Sequence, residues 1–217
     1  MKNASSYNDI IVAHECGHWF ALAASGLAGE FISATVVPHG GVYGLTLRSG
    51  QSLSKLSIDL ASCAGKMGDP ANREKGMSDF RDCIKCSPKV CLPHVCFFLG
   101  GGSIDRLLGR ESVSRNEIDT NCVKTMVIPA MVIPQISDAE LKEVQSKVDE
   151  FLWAAFERDE PLFAEMYELL SAKKTVTNAD VPTELSNKMM NCAENSKYDY
   201  GQLLSSFKSW HSSKCTY

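Results

Sequence analysis

No run of about 20 apolar residues, the length that spans a bilayer, occurs in the 217-residue sequence. The strongest candidate, 90–99, is short and contains Pro93 and His94. The opening MKNASSYND has one lysine and no apolar segment, so neither a signal peptide nor a membrane association is expected, and the expected location is cytoplasmic. Excess basic charge is also missing. The formal net charge is −4, which provides no field to attract nucleic acid. There is no G-x-x-x-x-G-K-[ST] loop to cradle phosphates, and Gly100-Gly101-Gly102-Ser103 lacks the lysine such a loop needs. Internal repeats and low-complexity tracts are absent too. The length suits one domain with or without an appendage.

Cysteine, by contrast, is plentiful: nine residues, an odd number. Without a secretion signal, reduced thiols are the expectation. The spacing Cys83-x2-Cys86-x4-Cys91-x4-Cys96, with His94 inside it, leaves a second, structural metal site open. It fits no regular zinc knuckle, and buried thiols are the expected reading.

The richest stretch is 10–25, IIVAHECGHWFALAAS. It reads as a helix and holds His14-Glu15-Cys16-Gly17-His18, an H-E-x-x-H pattern. Residues four apart on a helix share a face, with Cβ atoms about 5–6 Å apart. That lets both imidazoles reach one zinc ion at about 2.0–2.1 Å. Glu15 lies about 100° round the helix, so it can flank the metal and accept a proton as general base. Two histidines and a carboxylate within an apolar stretch that includes Ile10, Ile11, Ala21 and Leu22 would be costly without a partner. A metal provides one.

Ser6 and Asp9 predict a helix start near Tyr7. Phe31–Val37 reads as a strand, 38–41 as a turn and Val42–Leu47 as a second strand, together a hairpin. A helix is expected over about 55–67, capped by Ser52 or Ser54, and another from Asp79, ended by Ser87-Pro88. Gly100–Ser103 reads as a turn, followed by short helices at 104–108 and 118–127. Ser137 with Glu140 forms a capping box for a helix that Pro161 breaks or restarts.

This order of parts resembles the peptidase domain of the FtsH-type zinc proteases. That family reads approximately H-E-A-G-H, then a strand, I-I-P-R-G-G-A-L-G-V-T, a helix ending G-G-R-A-A-E, and G-A-S-N-D. The present chain has His14 to His18, then Val36-Val37-Pro38-His39-Gly40-Gly41-Val42-Tyr43-Gly44-Leu45-Thr46, then Ala64 to Asp69, then Gly76-Met77-Ser78-Asp79. Leu169 to Val176 is similar to the family's closing block. The resemblance covers roughly 7–181.

The resemblance implies a third zinc ligand at Asp79. Asp119, which also precedes a helical pattern, is the rival. It further implies an α+β fold, a mostly helical zincin-like domain with a small antiparallel sheet. Residues 1–6 are expected to be a flexible start, 7–181 the metallopeptidase-like domain and 182–217 a polar tail.

The expected function is zinc-dependent hydrolysis of peptide bonds, with His14, His18 and Asp79 on the metal and Glu15 as base. The family's ATPase module and membrane anchors are missing from the chain, so cleavage without ATP is expected; delivery of substrate by a separate ATPase stays open but is not indicated. A protein or peptide substrate would add as a strand along Val42, Tyr43, Gly44 and Leu45. The competing reading is a catalytically inactive peptide-binding module on the same fold.

Overall fold

The computed structural model describes residues 7–38, 43–110, 113–133 and 135–214. The chain is α+β, mostly helical with one small sheet. Its elements are α1 (Tyr7–Ala24), β1 (Phe31–Thr35), β2 (Leu45–Arg48), α2 (Gln51–Gly68), α3 (Arg73–Leu107) and α4 (Val113–Cys122). A π-turn at Val123–Val127 leads into a single helical turn, α5 (Ile128–Ala130). Then come α6 (Asp138–Lys173), β3 (Thr175–Thr177), α7 (Thr183–Asn195) and α8 (Lys197–Lys214).

Helix α1 is the centre of the fold. From Ile11 to Ala24 every residue is buried, as expected of a helix that is apolar all round. Trp19 stacks on Phe31 of β1, ring centroids 4.5 Å apart, and Phe20 meets Phe156 and Phe163 of α6 edge-on. Helix α3 crosses α1 with the two backbones in contact: a Cβ on Gly17 would lie 2.6 Å from the Gly100 carbonyl oxygen, and one on Gly100 2.6 Å from that of Gly17. Only glycine at both positions permits this approach.

The sheet is antiparallel, in the order β2-β1-β3. Ala34 pairs with Thr46 and Val176, all three buried, while Leu45 and Leu47 face outward and are exposed. The expected strand pair is thus present, in shorter form than 31–37 and 42–47; residues 39–42 lie outside the described residues.

Three expectations are corrected. Helix α3 runs through Pro88, Pro93 and the Gly100–Ser103 stretch without a break. Pro88 has no N–H for the Ile84 carbonyl, and the Ser87 hydroxyl donates to that carbonyl instead, at 2.8 Å. Gly50, in the left-handed conformation, precedes α2 in place of a serine cap; Ser52 donates its hydroxyl to Glu30. The segment beyond 182 is no polar tail, since α7 and α8 bury Leu185, Met189, Cys192, Leu203 and Phe207 in the common core. Two other expectations are matched: Ser137 and Glu140 form the reciprocal capping box, and the α6 helix kinks at Asp159, just before Pro161.

Candidate metal centre

His14 and His18 project from α1 toward α3 and α4. Each ring is oriented through its Nδ1. His14 Nδ1 donates to Asp105 Oδ2 at 2.8 Å, and His18 Nδ1 donates to the Phe97 carbonyl at 2.7 Å. In the neutral rings, these bonds leave both Nε2 atoms as lone pairs, and the two lie 3.2 Å apart. Two facing lone pairs at that distance repel unless a proton or a metal cation sits between them. The separation is close to the roughly 3.3 Å expected of two nitrogens on one tetrahedral zinc with bonds near 2.05 Å.

The third donor is Asp119 on α4. Its Oδ2 lies 3.3 Å from His14 Nε2 and 3.5 Å from His18 Nε2. That oxygen is buried and accepts no conventional hydrogen bond. His14, His18 and Asp119 form a group whose ligand atoms all fall within 4.8 Å, the one such group among the described residues. Gly101 supplies the space. A Cβ there would stand 2.5 Å from His18 Nε2 and 2.7 Å from His14 Nε2.

The electrostatics agree. Burial lowers the His18 pKa, but Asp119 and then Glu15 outweigh it and raise the value to about 9. His14 is also raised, burial being outweighed by its bond to Asp105 and by the facing Asp119 carboxylate. The histidines hold the Asp119 carboxyl well below the usual range despite its burial. The same negative field favours a cation at the two Nε2 atoms, where a metal would compete with the proton.

Glu15 is 5% exposed. Thr46 of β2 donates its hydroxyl to Glu15 Oε2 at 2.7 Å and reaches the Glu15 carbonyl at 3.2 Å. Gly44 lies against the other oxygen: a Cβ there would be 2.5 Å from Glu15 Oε1. The carboxylate is therefore held between β2 and α1, and its charge is felt at His18.

Asp79 does not join this group. It pairs with Lys66 at 2.8 Å, on the partly exposed surface of the α2–α3 hairpin, and its pKa is lowered by that lysine. The third candidate ligand is the rival residue, Asp119.

Of the expected substrate-strand residues, Tyr43 and Leu45 are about half exposed, Gly44 packs on Glu15, and Val42 lies outside the described residues. Nor do the four cysteines of 83–96 converge on a metal with His94. Cys91 and Cys96 are fully buried in the core, and burial pushes the Cys91 thiol up to about 12. His94 meets the Ser52 hydroxyl at 2.8 Å.

Asp105, Gly101 and Thr46 were not anticipated from the sequence. A carboxylate directly after the apolar stretch ending at Ile104 was the one available signal for Asp105.

No described helix is long and apolar enough to cross a membrane. Comparisons with protein-family models, curated proteins and solved structures gave no match.

Proposed function

We propose that this chain is a zinc-dependent metallopeptidase of the FtsH type, on a zincin-like fold, with His14, His18 and Asp119 as the protein ligands. The observation that carries the reading is the convergence of two oriented Nε2 atoms and the buried Asp119 Oδ2, next to the helix that also carries Glu15. Two histidines and one carboxylate suit zinc and leave a coordination position open. Zinc, when bound there, would polarise a scissile carbonyl and lower the pKa of water.

The chain's own residues supply the rest. Glu15 accepts the proton of the attacking water and delivers it to the leaving amine. Thr46 fixes the carboxylate that does so. Asp105 and the Phe97 carbonyl keep both imidazoles in the tautomer that presents Nε2.

The substrate is an extended protein or peptide segment lying along β2. That strand pairs with β1 on one side and with no described strand on the other, so main-chain pairing is available to an added strand. The inward-facing Thr46 then ties the substrate strand to the base. Cleavage proceeds without ATP, in the cytoplasm, on segments already unfolded or flexible.

The test is zinc content and casein digestion of the purified chain, with Glu15→Gln alongside. Wild type should bind about one zinc and digest casein; the variant should keep the metal and lose digestion by at least about 100-fold. A zinc-loaded wild type that digests nothing would leave only the inactive peptide-binding reading. Loss of zinc from the variant would overturn the role of Glu15.

A further inference from the structure

The α2–α3 hairpin carries a feature that the metal centre does not use. Cys63 of α2 and Cys83 of α3 face each other with their Sγ atoms 4.0 Å apart, both as free thiols. Cys63 is buried, whereas Cys83 is partly exposed. Among the described cysteines this is the one thiol–thiol contact. Cys16, Cys91, Cys96 and Cys192 are buried in the core, and Cys86 lies one turn beyond Cys83, exposed. A disulfide needs an S–S distance of about 2.05 Å, so closing the gap takes side-chain rotation on two helices that already pack along each other.

We propose that Cys63 and Cys83 are a redox-active dithiol, which a low-molecular-weight disulfide such as oxidised glutathione converts into a cystine joining α2 to α3. The accessible Cys83 reacts first. Its thiolate attacks one sulfur of oxidised glutathione, forming a mixed disulfide and releasing one glutathione thiolate, which takes up the proton that Cys83 lost. Cys63 then gives up its proton and its sulfur displaces the second glutathione. Two cysteine thiols are oxidised and one glutathione disulfide is reduced to two thiols.

The surroundings set the rate. Burial, contact with Cys63 and the nearby Asp59 and Cys86 push the Cys83 thiol up to about 11. Lys66 also faces both sulfurs, with its ammonium engaged by Asp79. Little thiolate is present at neutral pH, so exchange is slow there and accelerates as pH rises toward that value. Only Ser49 and Gly50 separate β2 from α2. The cystine therefore fastens the hairpin that leads directly out of the exposed strand. None of this depends on the metallopeptidase reading.

The test is peptide mapping of the full chain after incubation with oxidised glutathione at pH 8, alkylation and non-reducing trypsin digestion. Cleavage after Arg81, Lys85 and Lys89 separates Cys83, in peptide 82–85, from Cys86, in 86–89; Cys63 lies in 56–66. The expected product is 56–66 linked to 82–85, formed equally in Cys86→Ser and absent from Cys83→Ser. Formation should be roughly tenfold faster for each pH unit between 7 and 9. Oxidation that stops at glutathione on Cys83, or that links 82–85 to 86–89, would overturn the proposal. Because wild type and Cys86→Ser carry the decisive readout, misfolding of Cys83→Ser would not obscure it.

Discussion

Asp105 places its Oδ2 2.8 Å from the Nδ1 of His14, 91 residues away in the chain. The carboxylate is wholly buried and its other oxygen has no hydrogen-bond partner. A buried charge with one imidazole as its partner is costly, and that cost is offset when the ring's far nitrogen is bound to a cation. The pair thus acts as one unit with whatever His14 holds.

Asp105→Asn should therefore weaken zinc binding by about 10- to 100-fold, the usual effect of removing a carboxylate behind a ligating histidine. Competition with a chromophoric chelator measures this. Unchanged affinity would show that His14 needs no such support.

Asp119→Ala should lose zinc to the chelator far more readily than Asp79→Ala, which should bind like wild type. Asp79 gives its charge to Lys66 on the partly exposed hairpin, and a solvent-screened pair of that kind contributes little to stability. Weaker binding by Asp79→Ala would contradict the geometry.

The difference between those two aspartates shows where the sequence was legible and where it was not. The H-E-x-x-H helix could be read because its chemistry lies within just over one turn, where spacing alone decides what faces what. The β1–β2 pair and the Ser137–Glu140 cap could be read for the same reason. Asp119 and Asp105 reach the site through the path of α3, and that path was misread. Pro88, Pro93 and three consecutive glycines argue locally for a break. Tertiary packing outweighs them, because Gly100 is needed where α3 meets Gly17 and Gly101 where it meets the histidines. The order of the family's blocks, carried over from Ala64–Asp69 to Gly76–Asp79, pointed to Asp79 as the ligand instead. Helices α7 and α8 were missed because each buries only one narrow stripe, and Leu185, Met189 and Cys192 are sparse among polar neighbours.

Stability should fall in acid through His94. Burial, and then the Arg48 guanidinium, lower its pKa to about 4 from an ordinary 6.5. The unfolded chain therefore binds a proton that the folded chain refuses between pH 6.5 and 4. The contribution of neutral His94 is fully present above about 6.5 and is lost as pH falls toward 4, by at most on the order of 3 kcal/mol. Urea unfolding at several pH values should show a smaller acid loss in His94→Gln than in wild type. Parallel curves for the two proteins would refute the assignment.

Alanine at three glycines should separate folding, metal binding and catalysis. At Gly100 the new Cβ would meet the Gly17 carbonyl at 2.6 Å and the Ala21 Cβ at 2.7 Å; backbone cannot turn aside, so this variant should lose stability first. At Gly101 the nearest atoms are His18 Nε2 and His14 Cε1 and Nε2. Alanine there gains helix propensity, about 1 kcal/mol, yet it occupies the space between the nitrogens. Gly101→Ala should stay folded while its zinc affinity drops at least about tenfold. At Gly44 the Cβ would press on Glu15 Oε1 at 2.5 Å and on Ile11 Cγ2 at 2.8 Å, leaving the histidines alone. Gly44→Ala should keep its zinc and lose turnover by about 10- to 100-fold, as expected of a displaced general base. Thermal unfolding, metal analysis and casein digestion on the three variants give the separate readouts. Zinc bound as tightly by Gly101→Ala as by wild type would mean that no metal lies between His14 and His18.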